Sequence, residues 1–238
     1  MEKTCERAIE IGLPAIAFTD HADFVTVHAE QHRVDIAGYL EEVERCRSKF
    51  KNLRILSGVE LGEPHWFPEE TRQVLSAGKL DQVLGSVHCA RIGDRVVDAS
   101  QVSKLPDLDP AEFAHSFFAE TLAMLQAGVP FETLAHLDYP KRYLPVYREE
   151  AFEEQLRAIL AEAARRDIVL EVNTTRGSVL CPSQTVLGWW REAGGRAVSF
   201  GSDAHEPSRI ASGFEAASHV VEAAGFKPAS EPTALWRL

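Results

Sequence analysis

Six short, nearly unbroken apolar runs recur along the chain, near residues 15–19, 54–60, 82–87, 133–137, 168–173 and 197–202. A strand covered on one face alternates apolar with polar; runs this continuous read as strands of a parallel sheet covered on both faces. The stretches between them carry helical spacing instead. Cys5, Ala8 and Ile9 follow i, i+3, i+4 spacing, and Gly12 stops that helix. Asp35 can cap a helix running to Phe50, and Asp109 followed by Pro110 is an N-cap with proline at the first helical position, opening a helix to Gly128. Further helices are predicted over 149–166, 182–193 and 207–224. Strand alternating with helix predicts an α/β protein built from βα units around a parallel sheet. The pattern opens on a helix, so the strand that should precede it is missing from the front.

Composition narrows the partners. With 238 residues, 45% of them hydrophobic, and no Pro/Gly/Ser-rich linker, residues 1–238 are expected to form a single domain. A formal charge of −11 without a stripe of Lys and Arg opposes a nucleic-acid partner. No run approaches the roughly 18 apolar residues of a membrane span, and no basic, then apolar leader opens the chain, so a cytoplasmic protein without a membrane partner is expected. Cys5, Cys46, Cys89 and Cys181 are far apart and form no CxxC pair, which predicts reduced, partly buried thiols. Nothing in the pattern sets an oligomeric state.

The ends of the apolar runs change the picture, because each carries an imidazole, a carboxylate or both. Asp203 and His205 leave one strand two residues apart, so both point to the same side. An isolated DxH is commonly a turn Asp and a surface His; five further strand ends with the same residue types reverse that reading, since parallel barrels place active sites at strand C-termini. His21 follows Asp20, a candidate to orient the imidazole or a nearby loop. Glu60 can bridge two cations through its two oxygens, whereas Glu63 is expected in solvent. His88 and His136 each follow an apolar run that has no other use for an imidazole. Glu171 and Asn173 share one strand face, open to contact with substrate or with the ligands. Arg176 is the best cation to clamp a phosphate, against the plain alternative of a surface arginine. Among the remaining histidines, His115 and His219 lie within helices and His28, His32 and His65 in loops; His65, beside Trp66 and Phe67, is the candidate substrate contact, with an aromatic structural cluster as its rival. No dinucleotide or Walker fingerprint and no GxSxG elbow is present, which sets nucleophilic serine or cysteine catalysis aside.

In this order and spacing, TDH, GVE, GSVH, AHLD and GSDAH resemble the PHP (polymerase and histidinol phosphatase) superfamily, specifically its histidinol-phosphate phosphatase branch, over about Cys5 to Gly225. The resemblance implies a distorted (β/α)7 barrel with up to three zinc, manganese or iron ions at the strand C-termini. It further implies that Glu60, His88 and His136 bind one metal, that Glu60 bridges to a second held also by Asp203, and that His21 and His205 help hold a third. The family opens with a strand carrying an HxH pair and a loop with a further ligand, neither of which this sequence supplies. The first barrel strand is thus expected to be missing, fewer metals to bind, and the Glu60–His88–His136 site to survive best. Either the start lies upstream, the favoured reading, or the chain is a truncation with impaired activity.

The expected function is a metal-dependent phosphomonoesterase acting on a small phosphate ester, L-histidinol phosphate by resemblance. Metals would bind the phosphoryl oxygens and acidify a water, Arg176 would offset phosphate charge, and Asp203 or His205 would manage protons. Two alternatives stand beside it. One keeps the site and changes the ester, to a nucleotide, another sugar phosphate or a DNA 3′ end, the last opposed by the acidic charge. The other is a catalytically impaired metal-binding protein.

Overall fold

In chain order the elements are α1 (Glu2–Glu10), β1 (Ala15–Ala22), α2 (Ile36–Lys49), β2 (Arg54–Gly62), α3 (Pro68–Ser76), β3 (Gln82–Ser86), β4 (Cys89–Ile92), β5 (Arg95–Asp98), α4 (Pro110–Gln126), β6 (Thr133–Leu134), α5 (Glu153–Arg165), β7 (Val169–Arg176), β8 (Val179–Cys181), α6 (Gln184–Glu192), β9 (Ala197–Gly201), α7 (Phe214–Ala223) and β10 (Trp236–Arg237). They belong to a computed structural model that describes residues 1–25, 34–144, 147–177, 179–231 and 233–238.

All six apolar runs become strands of one sheet, in the order β1-β2-β3-β6-β7-β9, and every neighbouring pair is parallel. β10 adds to β9 and β8 to β7, both antiparallel, and β4 and β5 form a separate hairpin. The protein is therefore α/β with a mainly parallel sheet. Among the described residues nothing pairs with the outer edge of β1, so the sheet ends at β1 on one side and at β10, beyond β9, on the other. Register matters more for the site than strand count. His21 stands opposite Glu60 across the β1–β2 pair, and Asn173 opposite Gly201 across β7–β9.

Helices cover the sheet because their apolar faces have nowhere else to go. α4 and α5 bury Phe113, Phe117, Phe118, Leu156 and Ile159 almost completely. Asp109 caps α4 by accepting the Ala111 N–H at 2.9 Å, and Asp35 caps α2 through the Gly38 N–H. Trp190 on α6 is fully buried yet satisfied, its indole N–H donating to the Ala197 carbonyl at 3.1 Å. A Cβ at Gly195 would lie 2.0 Å from that indole, so only glycine lets the chain pass.

One predicted helix divides. In place of a continuous helix over 207–224 there is a short turn at Pro207–Arg209, a break, and then α7. Ala211 and Gly213 both have left-handed φ, 55° and 80°, which no right-handed helix passes through. The Thr174 hydroxyl holds the break by donating to the Ser212 carbonyl at 2.5 Å. Among the described residues no helix is long and apolar enough to cross a membrane, and the four cysteines are buried and in no disulfide.

Candidate metal centre

Three strands deliver one cluster. β2 carries Glu60 inward, and His88 and His136 each lie two residues past the end of their strands, β3 and β6. Their side chains meet at a single oxygen: Glu60 Oε1 is 2.7 Å from His136 Nε2 and 3.2 Å from His88 Nε2, and the two imidazole nitrogens are 3.3 Å apart. From β1, His21 Nδ1 reaches to 3.9 Å from Glu60 Oε2. His21, Glu60 and His88 each offer a donor atom within 4.8 Å of the others. Imidazoles and a carboxylate converging this closely from separate strands match the donor set of zinc and of related divalent ions.

The charges are those of a tight ion-pair network. Burial works against ionising Glu60, but His21 and His136 outweigh it and hold the carboxyl well below its usual range. Burial likewise opposes charge on His21, yet Glu60 and Asp23 push its pKa up to about 9. His88 is raised well above its ordinary value against burial, by Asp23 and Glu60, while burial leaves His136 lowered. One acid in this network was not apparent in the sequence. Asp23, not Asp20, meets the imidazoles, with Oδ2 3.3 Å from His21 Nδ1 and Oδ1 3.7 Å from His88 Nδ1. A Cβ at Gly62 would sit 2.0 Å from Asp23 Oδ1, so the glycine beside Glu60 makes room for that carboxylate.

Glu63 is not solvated, as expected from sequence, but fully buried. Its backbone turns back at φ 44°, and Oε1 accepts the N–H groups of His88 and, at 2.8 Å, Cys89. Glu171 is buried too, and its Oε2 accepts the His136 N–H at 2.9 Å. Burial pushes both carboxyls up to about 7. Left-handed φ recurs at His136 (21°) and Asp203 (49°). Such conformations cost on the order of 1–3 kcal/mol each in non-glycine residues, comparable to the ~1.5–3 kcal/mol of a hydrogen bond to a charged group.

Above the cluster a cavity of about 720 Å³ opens to solvent, with His21, His88 and His136 in its floor and Arg142, Arg176 and Arg209 in its wall. Asp203 and His205 also line it, the His205 ring 5.7 Å from that of His21 and its side chain 69% exposed, with Nδ1 3.1 Å from the Asp203 carbonyl oxygen. Arg142 escaped the sequence reading, because it closes a short helical turn, Tyr139–Arg142, and does not end an apolar run. Its side chain is 8% exposed, and the guanidinium pairs with Asp203 Oδ2 at 2.9 Å and lies 4.9 Å over the Tyr139 ring. Its Nε and Nη2 have no hydrogen-bond partner among the described residues. Arg176 does line the cavity, exposed, donating to the Arg142 carbonyl at 3.3 Å.

Two residues expected to touch substrate do not line this cavity. Asn173 donates to Glu171 Oε2 at 3.2 Å and to Asp203 Oδ2 at 3.4 Å, and accepts the Thr175 N–H at 3.0 Å, which ties it to the two acids. His65 Nε2 lies 2.9 Å from Glu120 Oε2, which also accepts the Trp66 indole N–H, so it belongs to an aromatic cluster away from the cavity wall. His115 pairs with Gln155, and His28 and His32 lie outside the described residues.

A parallel sheet with acids and imidazoles gathered at its strand ends defines a metallohydrolase-like centre, and the chain belongs to the PHP domain family, whose model matches residues 1–175. Within that family it is similar to a probable histidinol-phosphatase of Clostridium acetobutylicum, 28% identical over 94% of this chain and 88% of the relative. The histidinol-phosphatase of Lactococcus lactis is also 28% identical, over 94% and 85%. The crystal structure of histidinol phosphate phosphatase from Lactococcus lactis, complexed with zinc, L-histidinol and phosphate, superposes with a TM-score of 0.83 at 25% identity, covering 94% of this chain and 87% of that one.

Proposed function

We propose that this protein is a metal-dependent phosphomonoesterase that hydrolyses L-histidinol phosphate to histidinol and phosphate. The observation that carries the reading is the meeting of His88 and His136 on one Glu60 oxygen at the floor of an arginine-walled cavity. Similarity to an enzyme crystallised with zinc, histidinol and phosphate supports the substrate.

Glu60, His88 and His136 would hold one divalent ion, with His21, Asp203 and His205 available to hold others; zinc suits these donors best, and manganese and iron share them. Bound there, such an ion supplies Lewis-acid polarisation of the phosphoryl group and lowers the pKa of a water. The chain supplies the rest. Arg142 offers two buried guanidinium nitrogens with no hydrogen-bond partner among the described residues, a ready donor pair for phosphate oxygens. Arg176, at the rim, adds charge where the ester enters. His205, at the solvent edge with Nδ1 turned to the Asp203 carbonyl, is placed to give a proton to the departing alkoxide. Residues 1–238 acting as one cytoplasmic domain fit this reading.

The test is phosphate release from L-histidinol phosphate by chelator-stripped protein supplied with zinc, manganese or iron, beside a panel of sugar phosphates and nucleotides. Histidinol phosphate is expected to lead the panel and release to stop without metal. A folded protein that releases no phosphate with any of the metals overturns the proposal.

A further inference from the structure

We infer that Glu63 and Glu171 are positioning residues, each fixing one of the two buried histidines by accepting that histidine's own main-chain N–H. The inference rests on the reading that His88 and His136 hold a metal, and adds how their places are set.

The two clamps are alike although they come from different parts of the chain. Glu63, just past β2, reaches across to the turn after β3 and takes the N–H of His88 together with that of Cys89. Glu171, on β7, reaches across to the loop after β6 and takes the N–H of His136. In both, a strand neighbouring the histidine's own strand supplies the acid, so the sheet itself sets the distance. Both carboxyls are buried.

Metal-binding histidines are commonly steered through the ring, by a partner on the nitrogen that does not face the ion. His136 departs from that habit. Its Nδ1 is buried without a hydrogen-bond partner among the described residues, so the polar hold on this residue, apart from Glu60 and His88 at Nε2, is on its main chain. Its backbone also has left-handed φ, as does that of Glu63, a shape that persists only where the surroundings impose it. Space for the second clamp is reserved in the sequence: a Cβ at Gly201 would lie 1.9 Å from Glu171 Oε1. Asn173 completes the seat by donating to the same Oε2 that holds His136.

Zinc affinity, read by competition with a chromophoric chelator, and amide hydrogen exchange at His88 and His136 in the metal-free protein test this together. Glu63→Leu and Glu171→Leu are expected to weaken zinc binding by about 10–100-fold, the usual scale for losing a residue behind a ligand, and to speed exchange at the amide each one held. Glu63→Gln and Glu171→Gln keep an acceptor oxygen and are expected to restore most of the affinity and the slow exchange. Gly201→Ala, which drives a methyl into the Glu171 carboxylate, is expected to reproduce Glu171→Leu and carries the test if that variant does not fold. Folded Leu variants with undiminished affinity, or Gln variants as weak as Leu, overturn the clamps. His136→Ala is the control: if it too binds zinc undiminished, the metal reading falls and the clamps with it, whereas loss in His136→Ala alone isolates the failure to the clamps.

Discussion

The two sides of the centre are made from the same residue types at the same strand ends, yet they are built to different tolerances. On the sealed side, Glu60, His88 and His136 follow β2, β3 and β6, strands with neighbours on both edges, and are 6%, 4% and 3% exposed. On the open side, His21 lies on β1, whose outer edge has no partner among the described residues, and Asp203 and His205 lie beyond β9, whose outer edge is covered only by the two-residue β10. A strand hydrogen-bonded along both edges has its backbone fixed from both sides and delivers its side chains to a set place. β1, with one free edge, lacks half of that restraint. The sealed side is therefore assembled by the fold, while the open side relies on side-chain pairs such as Arg142 with Asp203.

The largest effects should divide along this line. His136→Ala and Glu60→Gln are expected to lower both zinc affinity and kcat/KM by more than about 10³-fold, because losing even the groups behind a ligand costs ~10–100-fold. His205→Ala should instead leave the affinity of the sealed site near wild type and lower kcat by about 10²-fold, the scale of one proton-transfer group. Steady-state kinetics paired with metal titration separates the two. Equal losses of zinc in His205→Ala and His136→Ala would erase the distinction between the sides.

How much of this was legible in the sequence also follows the two sides. The six parallel strands were readable because burial on both faces leaves an unbroken apolar run, and Glu60, His88 and His136 stood out as polar interruptions at their ends. The β4–β5 hairpin and β8 were not, since strands of four and three residues impose no pattern long enough to see. Asp23, Glu63 and Arg142 were missed or misjudged for another reason: each lies outside a strand, the first two just past β1 and β2 and the third in a short helical turn, and a charged residue in a connection is by default in water. What brings them inside is tertiary, a backbone reversal at Glu63 and a glycine gap at Gly62, and only the second leaves a mark in the sequence. His65 shows the converse, a histidine in a suggestive aromatic setting whose partner, Glu120, lies 55 residues away on α4.

A comparison of the two cavity arginines sharpens the difference between a fixed and a loose element. Arg142→Ala is expected to reduce kcat/KM by about 10²-fold, because it removes a buried fork and leaves the Asp203 carboxylate without its cation. Arg142→Lys should recover little of this, since an ammonium cannot reproduce the planar donor pair. Arg176, exposed at the rim, should cost less than about tenfold, mostly in KM, and its effect should shrink with added salt. A larger loss for Arg176→Ala than for Arg142→Ala would mean that phosphate is held at the rim and not over the buried histidines.

The smallest effect tests whether the open side leans on the sealed one. In chelator-treated protein His21 on β1 has its pKa raised from 6.5 to about 9, against burial, by Glu60 and Asp23. A histidine whose folded pKa is raised stabilises the fold fully below its unfolded pKa and loses that contribution as pH climbs through the folded value. The stability that His21 lends is thus complete near pH 6 and gone by about pH 10. Glu60 and Asp23, whose own pKa values are depressed, stay ionised throughout that window and add no slope to it. The melting temperature of metal-free protein should therefore exceed that of His21→Gln by about 5 °C near pH 6, taking roughly 2 kcal/mol for the ion pairs, and the gap should close toward pH 10. Thermal melts of the two proteins across that range read it directly. A gap that stays constant with pH would show that His21 carries no charge against Glu60 and Asp23, leaving the open side to stand by itself.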